Sequence, residues 1–422
     1  MDYKKTTLKN GLRIITVPME GTKTASVLVL VKTGSKYETK EINGISHFLE
    51  HMFFKGTKKR PNTLAIAELL DRVGGEYNAM TSQEYTGYYA KVNSDNFELA
   101  LDWVSDIYLN SKLSAEEIER ERGTIIEELN MYLDMPMRYV ADLWTDLLYG
   151  DQPAGWRVIG TKETIKNVKR AQFVKYLKEH YSSKNTIVVV AGNINNVGAT
   201  KLVKKYFSKI NRGAVKDKLP VKEGQNKPEA LIHYKKTDQT HLCLGFRGYN
   251  VFHPDKYAVG LLATILGGNM SSRMFINVRE RQGLAYYVHT SADMDTDTGE
   301  LVTQAGVDNS RVEQAIKSIL IEYKKILNKK ITKEELQKAK DYTKGIALLG
   351  MESSDAQASF VAFQELMTGK ILTLKDKFDK IDKVTIDDIQ RVTKDIICSE
   401  KLNLALIGPF KDKDKFDKIL KI

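Results

Sequence analysis

The 422-residue chain has only two cysteines, Cys243 and Cys398, far apart in sequence. They can make neither a disulfide framework nor a metal-binding pair, so a reducing compartment is expected. Long apolar runs are missing too. The longest, such as Val27–Val31 and Ile187–Ala191, are strand-sized, well short of the roughly 20 residues of a membrane-spanning helix. The opening residues, MDYKKTTLKNGL, lack the apolar stretch of a signal peptide. A soluble cytoplasmic protein without a membrane partner is expected, a trimmed transit segment being the alternative. Histidine is scarce as well: there are seven, and His180, His233, His241, His253 and His289 are scattered without ligand-like spacing.

What is present suffices for a folded protein. The chain is 42% hydrophobic and 9% aromatic, and its length suggests two or three domains. A net charge of +11 raises nucleic acid as a partner. The lysines, however, are interleaved with Glu and Asp and no nucleic-acid motif occurs, so a solvated basic surface is expected instead.

The two remaining histidines stand in Gly44–Gly56, GISHFLEHMFFKG. On a helix, His47 and His51 share one face one turn apart, with Glu50 close beside them. Two imidazoles so placed are half a zinc site, and Glu50 is placed to take a proton from water. The order His-x-x-Glu-His reverses the commoner zincin motif. The plainer alternative is an amphipathic helix with two surface histidines. A zinc site needs a third protein ligand, for which a carboxylate is the better candidate. Ser114–Tyr132 reads as a helix opened by a capping box of Ser114 and Glu117. Its apolar residues Ile118, Ile125 and Leu129 keep helical spacing, and Glu121 and Glu128 lie seven apart along one stripe, where solvated charge is the ordinary role.

His47, Glu50 and His51, followed 77 residues after His51 by Glu128 with Glu121 one heptad earlier, resemble the pitrilysin/insulinase family of zinc peptidases, in particular its bacterial members similar to the mitochondrial processing peptidases. The resemblance implies one zinc ion per chain held by His47, His51 and Glu128, Glu50 as general base, and Glu121 as a carboxylate supporting a ligand. Glu127 is adjacent, but Glu128 keeps the family's seven-residue spacing to Glu121.

Strand and helix patterns follow one another along the chain. Thr7–Pro18 reads as a strand pair turned at Asn10-Gly11, Ala25–Thr33 as a strand, Asn62–Arg72 as a helix, and Tyr77–Met80 and Glu84–Asn93 as strands. Helices are expected at Asn96–Asn110, Ser114–Tyr132, Met137–Tyr149, Ala171–Tyr181 and Val197–Phe207, with a strand at Asn185–Gly192. A Pro-, Gly- and charge-rich linker spans 212–229. Beyond it the pattern restarts, with helices at Asp255–Leu266, Arg273–Gln282 and Val312–Leu327. Ile331–Leu336 matches Leu113–Ile118 position by position. Carried forward, that alignment puts Ala339 opposite Glu121 and Ile346 opposite Glu128. The helix Ala258–Leu266, opposite His47–His51, has no histidine or acid. We therefore expect an α+β fold of two homologous domains, each a mostly antiparallel sheet covered by helices: a metal-binding domain at 1–211 and a metal-free one at 230–422.

Arg279 and Tyr286, seven apart, resemble the family's second signature, which implies contact with substrate and with the oxyanion. Gly74–Ser82 resembles the family's turn into an edge strand on which a peptide is laid, with Asn78 and Ala79 as substrate contacts. The resemblance thus implies a metalloendopeptidase acting on short or unfolded peptides in a closed chamber. Because the metal motif and the Arg–Tyr pair coexist in one chain, a homodimer is expected. A catalytically silent homologue and a basic peptide-binding protein are the alternatives.

Overall fold

Continuous apolar segments such as Thr186–Gly192 become central strands because both faces of their sheets are covered by helices. The computed structural model describes residues 2–213 and 215–422; Met1 and, within the expected linker, Ala214 lie outside the described residues. The first repeat runs β1 (Lys4–Thr7), β2 (Arg13–Pro18), β3 (Thr24–Val31), α1 (Ile45–Met52), α2 (Thr63–Asp71), β4 (Glu76–Thr81), β5 (Thr86–Asn93), α3 (Phe97–Asn110), α4 (Ala115–Leu133), α5 (Pro136–Tyr149), α6 (Lys162–Asn167), α7 (Arg170–His180), β6 (Thr186–Gly192) and α8 (Asn196–Tyr206). The second runs β7 (Glu229–Tyr234), β8 (Gln239–Arg247), α9 (Lys256–Gly267), a π-helix (Phe275–Glu280), β9 (Ala285–Met294), β10 (Gly299–Asp308), α10 (Val312–Asn328), α11 (Lys333–Leu349), α12 (Ser354–Thr368), α13 (Leu374–Asp382), α14 (Ile386–Ile396), β11 (Leu402–Gly408) and α15 (Asp414–Asp417).

The sheets repeat one topology. The first has the order β1-β2-β6-β3-β5-β4 and the second β7-β11-β8-β10-β9, so every strand but β1 has a counterpart. The pairs β2–β6 and β7–β11 are parallel and all other pairs antiparallel. The fold is therefore α+β with two mostly antiparallel sheets. Period-two alternation sorts the second sheet's side chains. Leu242, Leu244, Phe246, Leu404 and Leu406 join the core beneath α9, α10 and α14, while Cys243, Ala405 and Ile407 face the other way.

What covers that other face differs from the expectation of contiguous domains. Residues Tyr139, Val140, Leu143, Trp144 and Leu148 of α5 pack on Cys243, Val302, Ala405 and Ile407 of the second sheet. Reciprocally, Ala358, Val361, Ala362 and Leu366 of α12 pack on Ile15, Val17, Leu28, Leu30, Ile187, Val189 and Ala191 of the first. One compact unit thus comprises the chain up to Leu129 with Trp156–Leu219 and Leu348–Thr373; the other comprises Asn130–Gly155, Pro220–Ala347 and Leu374–Ile422. The boundaries expected at 211 and 230 divide the two repeats along the chain, not the two units.

Two smaller differences concern helix ends. Ser114 Oγ accepts from the Glu117 N–H at 3.3 Å, but the Glu117 carboxylate pairs with Arg120. In the copy both arms of the box form: Thr332 Oγ1 accepts from the Glu335 N–H at 3.2 Å and Glu335 Oε2 from the Thr332 N–H at 3.1 Å. The helix expected at Arg273–Gln282 is a π-helix at its centre and stops before Gly283, whose φ of +57° suits glycine.

Candidate metal centre

The short helix α1 is fixed at its N-terminus by a buried acid. Glu38 Oε2 accepts from the Gly44 N–H at 2.7 Å and from Asn43 Nδ2 at 2.9 Å, and Oε1 accepts from the Ser46 N–H at 2.8 Å. A carboxylate there satisfies N–H groups the helix cannot and meets the positive end of its dipole. Burial nevertheless pushes the Glu38 pKa up, against these hydrogen bonds. Gly44 has φ +95°, and a Cβ on it would lie 2.5 Å from the Ile159 carbonyl oxygen, so glycine alone fits. The Ser46 hydroxyl meets the Tyr176 hydroxyl at 2.8 Å, which ties α1 to α7.

Held this way, α1 presents His47 and His51 on one face, their ring centroids 4.7 Å apart. Helix α4 brings up Glu128. His47 Nε2 stands 3.6 Å from Glu128 Oε1, and His51 Nε2 stands 3.4 Å from Glu128 Oε2. One ligand atom from each of these three residues lies within 4.8 Å of the others, and all three residues are half-buried. In a tetrahedral zinc site with bonds near 2.1 Å, ligand atoms stand about 3.4 Å apart. Two imidazole nitrogens and one carboxylate oxygen at these separations fit such an ion. Glu127 is exposed, so the seven-residue spacing singled out the inward glutamate.

Around this set, Glu121 is buried and accepts from His51 Nδ1 at 2.9 Å through Oε1 and from Lys55 Nζ at 2.5 Å through Oε2. A carboxylate on the far nitrogen fixes the ring and its tautomer, leaving Nε2 to face Glu128. Burial opposes ionisation of Glu121, but His51 and Lys55 outweigh it and lower its pKa. Burial likewise opposes protonation of His51, yet Glu121 and Glu128 outweigh it and raise the pKa to about 9. His47 differs, for its Nδ1 is buried and makes no hydrogen bond among the described residues.

Glu50 is half-buried and accepts a hydrogen bond from Thr81 Oγ1 at the end of β4. Strand β4 forms an edge of its sheet, as expected for Gly74–Ser82, with Asn78 exposed and Ala79 half-buried. Asn78 Oδ1 accepts from the Ala79 N–H at 2.8 Å, so this N–H is directed at a side chain rather than at β5. Arg279 and Tyr286 belong to the other unit. Arg279 lies over the Phe275 ring at 4.7 Å, and Tyr286 is 75% exposed on β9, the edge strand corresponding to β4.

Sequence reasoning missed Lys55, Thr81 and Glu38. Lys55 stands four residues after His51, a spacing that could have revealed it. Nothing in the sequence links Thr81 or Glu38 to α1.

The sequence model of Insulinase (Peptidase family M16) matches residues 13–162, and that of the Peptidase M16 inactive domain matches 167–342. A Bacillus subtilis protein named "Uncharacterized zinc protease YmxG" is 36% identical over 410 residues, covering 96% of this chain and 98% of its own length. A Streptomyces coelicolor protein, also named a zinc protease, is 35% identical over 97% of this chain and 90% of its own. Among solved structures, a protease from Helicobacter pylori superposes with a TM-score of 0.91 at 26% identity, covering 97% of this chain and 99% of that one. A chain of complex III from Candida albicans shares the fold, with a TM-score of 0.85 at 18% identity, covering 99% of this chain and 100% of that one.

Proposed function

Because the chain belongs to the insulinase family, peptidase family M16, we propose that it is a cytoplasmic zinc metalloendopeptidase that hydrolyses peptide bonds in short or unfolded polypeptides within a closed chamber. The observation that carries this reading is the meeting of His47, His51 and Glu128 from α1 and α4, with Glu50 on the same helix and Glu121 behind His51. A silent homologue would be under no requirement to keep this donor set.

His47, His51 and Glu128 would hold one zinc ion per chain. When bound, zinc supplies Lewis acidity and lowers the pKa of water to about 7. Glu50 accepts the proton at its carboxylate as water attacks the scissile carbonyl, then passes it to the leaving amine. Glu121 holds His51 at Nδ1. To Asn78 and Ala79 we assign the laying-on of the substrate as an added strand, which the edge position of β4 supports. To Arg279 and Tyr286 we assign stabilisation of the oxyanion. A homodimer is part of the proposal, since one chain carries both signatures and has lost neither.

Purified protein incubated with an unstructured fluorogenic peptide is expected to cleave it, to stop on addition of a zinc chelator, and to recover when zinc is restored. Absence of cleavage by the zinc-loaded protein would overturn the reading. Replacing Glu121 with Gln is expected to weaken zinc binding by about 10- to 100-fold, because His51 keeps a hydrogen-bond partner but loses the charge behind it. Competition with a chromogenic chelator measures this directly.

A further inference from the structure

The geometry points to Thr81 as the positioning residue that aims the base Glu50, through a turn fixed by the backbone of a neighbouring loop. This rests on Glu50 being the base of the proposed peptidase. The Thr81 hydroxyl donates to Glu50 Oε2. It therefore occupies one carboxylate oxygen and leaves Oε1 to take the proton. A carboxylate on a helix surface otherwise swings freely about its terminal torsion, which is broad and only two-fold. A single donor on a rigid element removes that freedom.

The element bearing Thr81 is rigid for reasons visible on both sides. Within the hairpin, Thr81 pairs with Thr86, and the Ser82 N–H donates to the Tyr85 carbonyl at 2.8 Å. From outside, the loop after β3 lies against the turn: the Ser35 N–H donates to the Ser82 carbonyl at 3.3 Å and the Lys36 N–H to the Gln83 carbonyl at 2.9 Å. The approach is so close that a Cβ on Gly34 would stand 2.1 Å from the Ser82 oxygen. Glu84, buried in the same turn, forms an ion pair with Lys218, and Lys36 Nζ stands 3.8 Å from it.

Alternation along β4 gives the arrangement its consequence. Tyr77, Ala79 and Thr81 share one face of the strand: Tyr77 packs on Trp103 of α3 at 5.0 Å, and Thr81 reaches Glu50 of α1. Ala79, the small residue between them, is a proposed substrate contact. The strand on which the peptide is laid is thus the strand that orients the base, two residues further along.

The test compares Thr81→Val, which keeps the shape and removes the donor, with Thr81→Ser, which keeps the donor. In the zinc-loaded protein Thr81→Val is expected to lower kcat by about 100-fold. KM, zinc content and melting temperature are expected to stay within error, and Thr81→Ser to retain most of kcat. A Thr81→Val enzyme with unchanged kcat, or a Thr81→Ser enzyme as impaired as Thr81→Val, would overturn the inference. Crystals of Thr81→Val are expected to show the Glu50 carboxylate rotated or spread over several positions. A carboxylate unmoved there also counts against it, whatever the activity. Failure of the underlying reading shows separately: if Glu50→Gln remains active, Glu50 is not the base, whereas a dead Glu50→Gln beside a fully active Thr81→Val removes only the role of Thr81.

Discussion

Glu50→Gln is expected to retain zinc and lose turnover by about 10³-fold or more, at the upper end of what a positioned acid–base group contributes. The substitution changes almost nothing else. An amide has the size of the carboxylate, and its oxygen can still accept from Thr81 Oγ1, which keeps the side chain near its place. What it loses, on the proposed role of Glu50, is the ability to accept a proton from water and return it to the amine. Glu50 contributes no atom to the group formed by His47, His51 and Glu128, so the metal content measured by elemental analysis should equal that of the parent. Cleavage of the fluorogenic peptide at more than a tenth of the parental rate would transfer the base role to another group.

His51→Ala is expected to lose both zinc and activity, and to destabilise the fold. His51 has two duties: Nε2 faces Glu128 at 3.4 Å, and Nδ1 bonds Glu121 at 2.9 Å. Truncation removes one of the three proposed ligands and strips a buried carboxylate of one of its two partners among the described residues, leaving Lys55. A buried acceptor deprived of a partner costs about 1–3 kcal/mol, so a lowered melting temperature should accompany the loss of metal. Glu128→Gln tests a second proposed ligand apart from the loss at Glu121, because His51 and its bond to Glu121 stay in place. It should lose metal. Near-stoichiometric zinc in either variant would remove that residue from the ligand set.

Much of the site was legible in the sequence because its spacing is local. His47, Glu50 and His51 lie within five consecutive residues, and a helix of fixed pitch puts both imidazoles on one face whatever surrounds it. Glu121 and Glu128 are likewise two turns apart on a single helix. The repeat was legible for a related reason, since Ile331–Leu336 restates the start of an earlier helix. The destination of α5 and α12 was not legible. An amphipathic stripe declares that a helix will be covered, but the two sheets offer similar apolar faces, and only folding assigns each helix to the sheet of the other repeat.

By itself, then, the sequence determined which residues stand at the spacing of a metal site and that the chain contains two related halves, because helical pitch and strand alternation act over a few residues and leave their period in the chain. The tertiary structure decided what those residues meet. It brought Glu128 to the two imidazoles, gave His51 a carboxylate behind it, seated Glu38 under α1, and set the Thr81 hydroxyl on Glu50. Each of these contacts joins separate elements through packed cores and shared backbone hydrogen bonds, and contacts of that kind have no period to read.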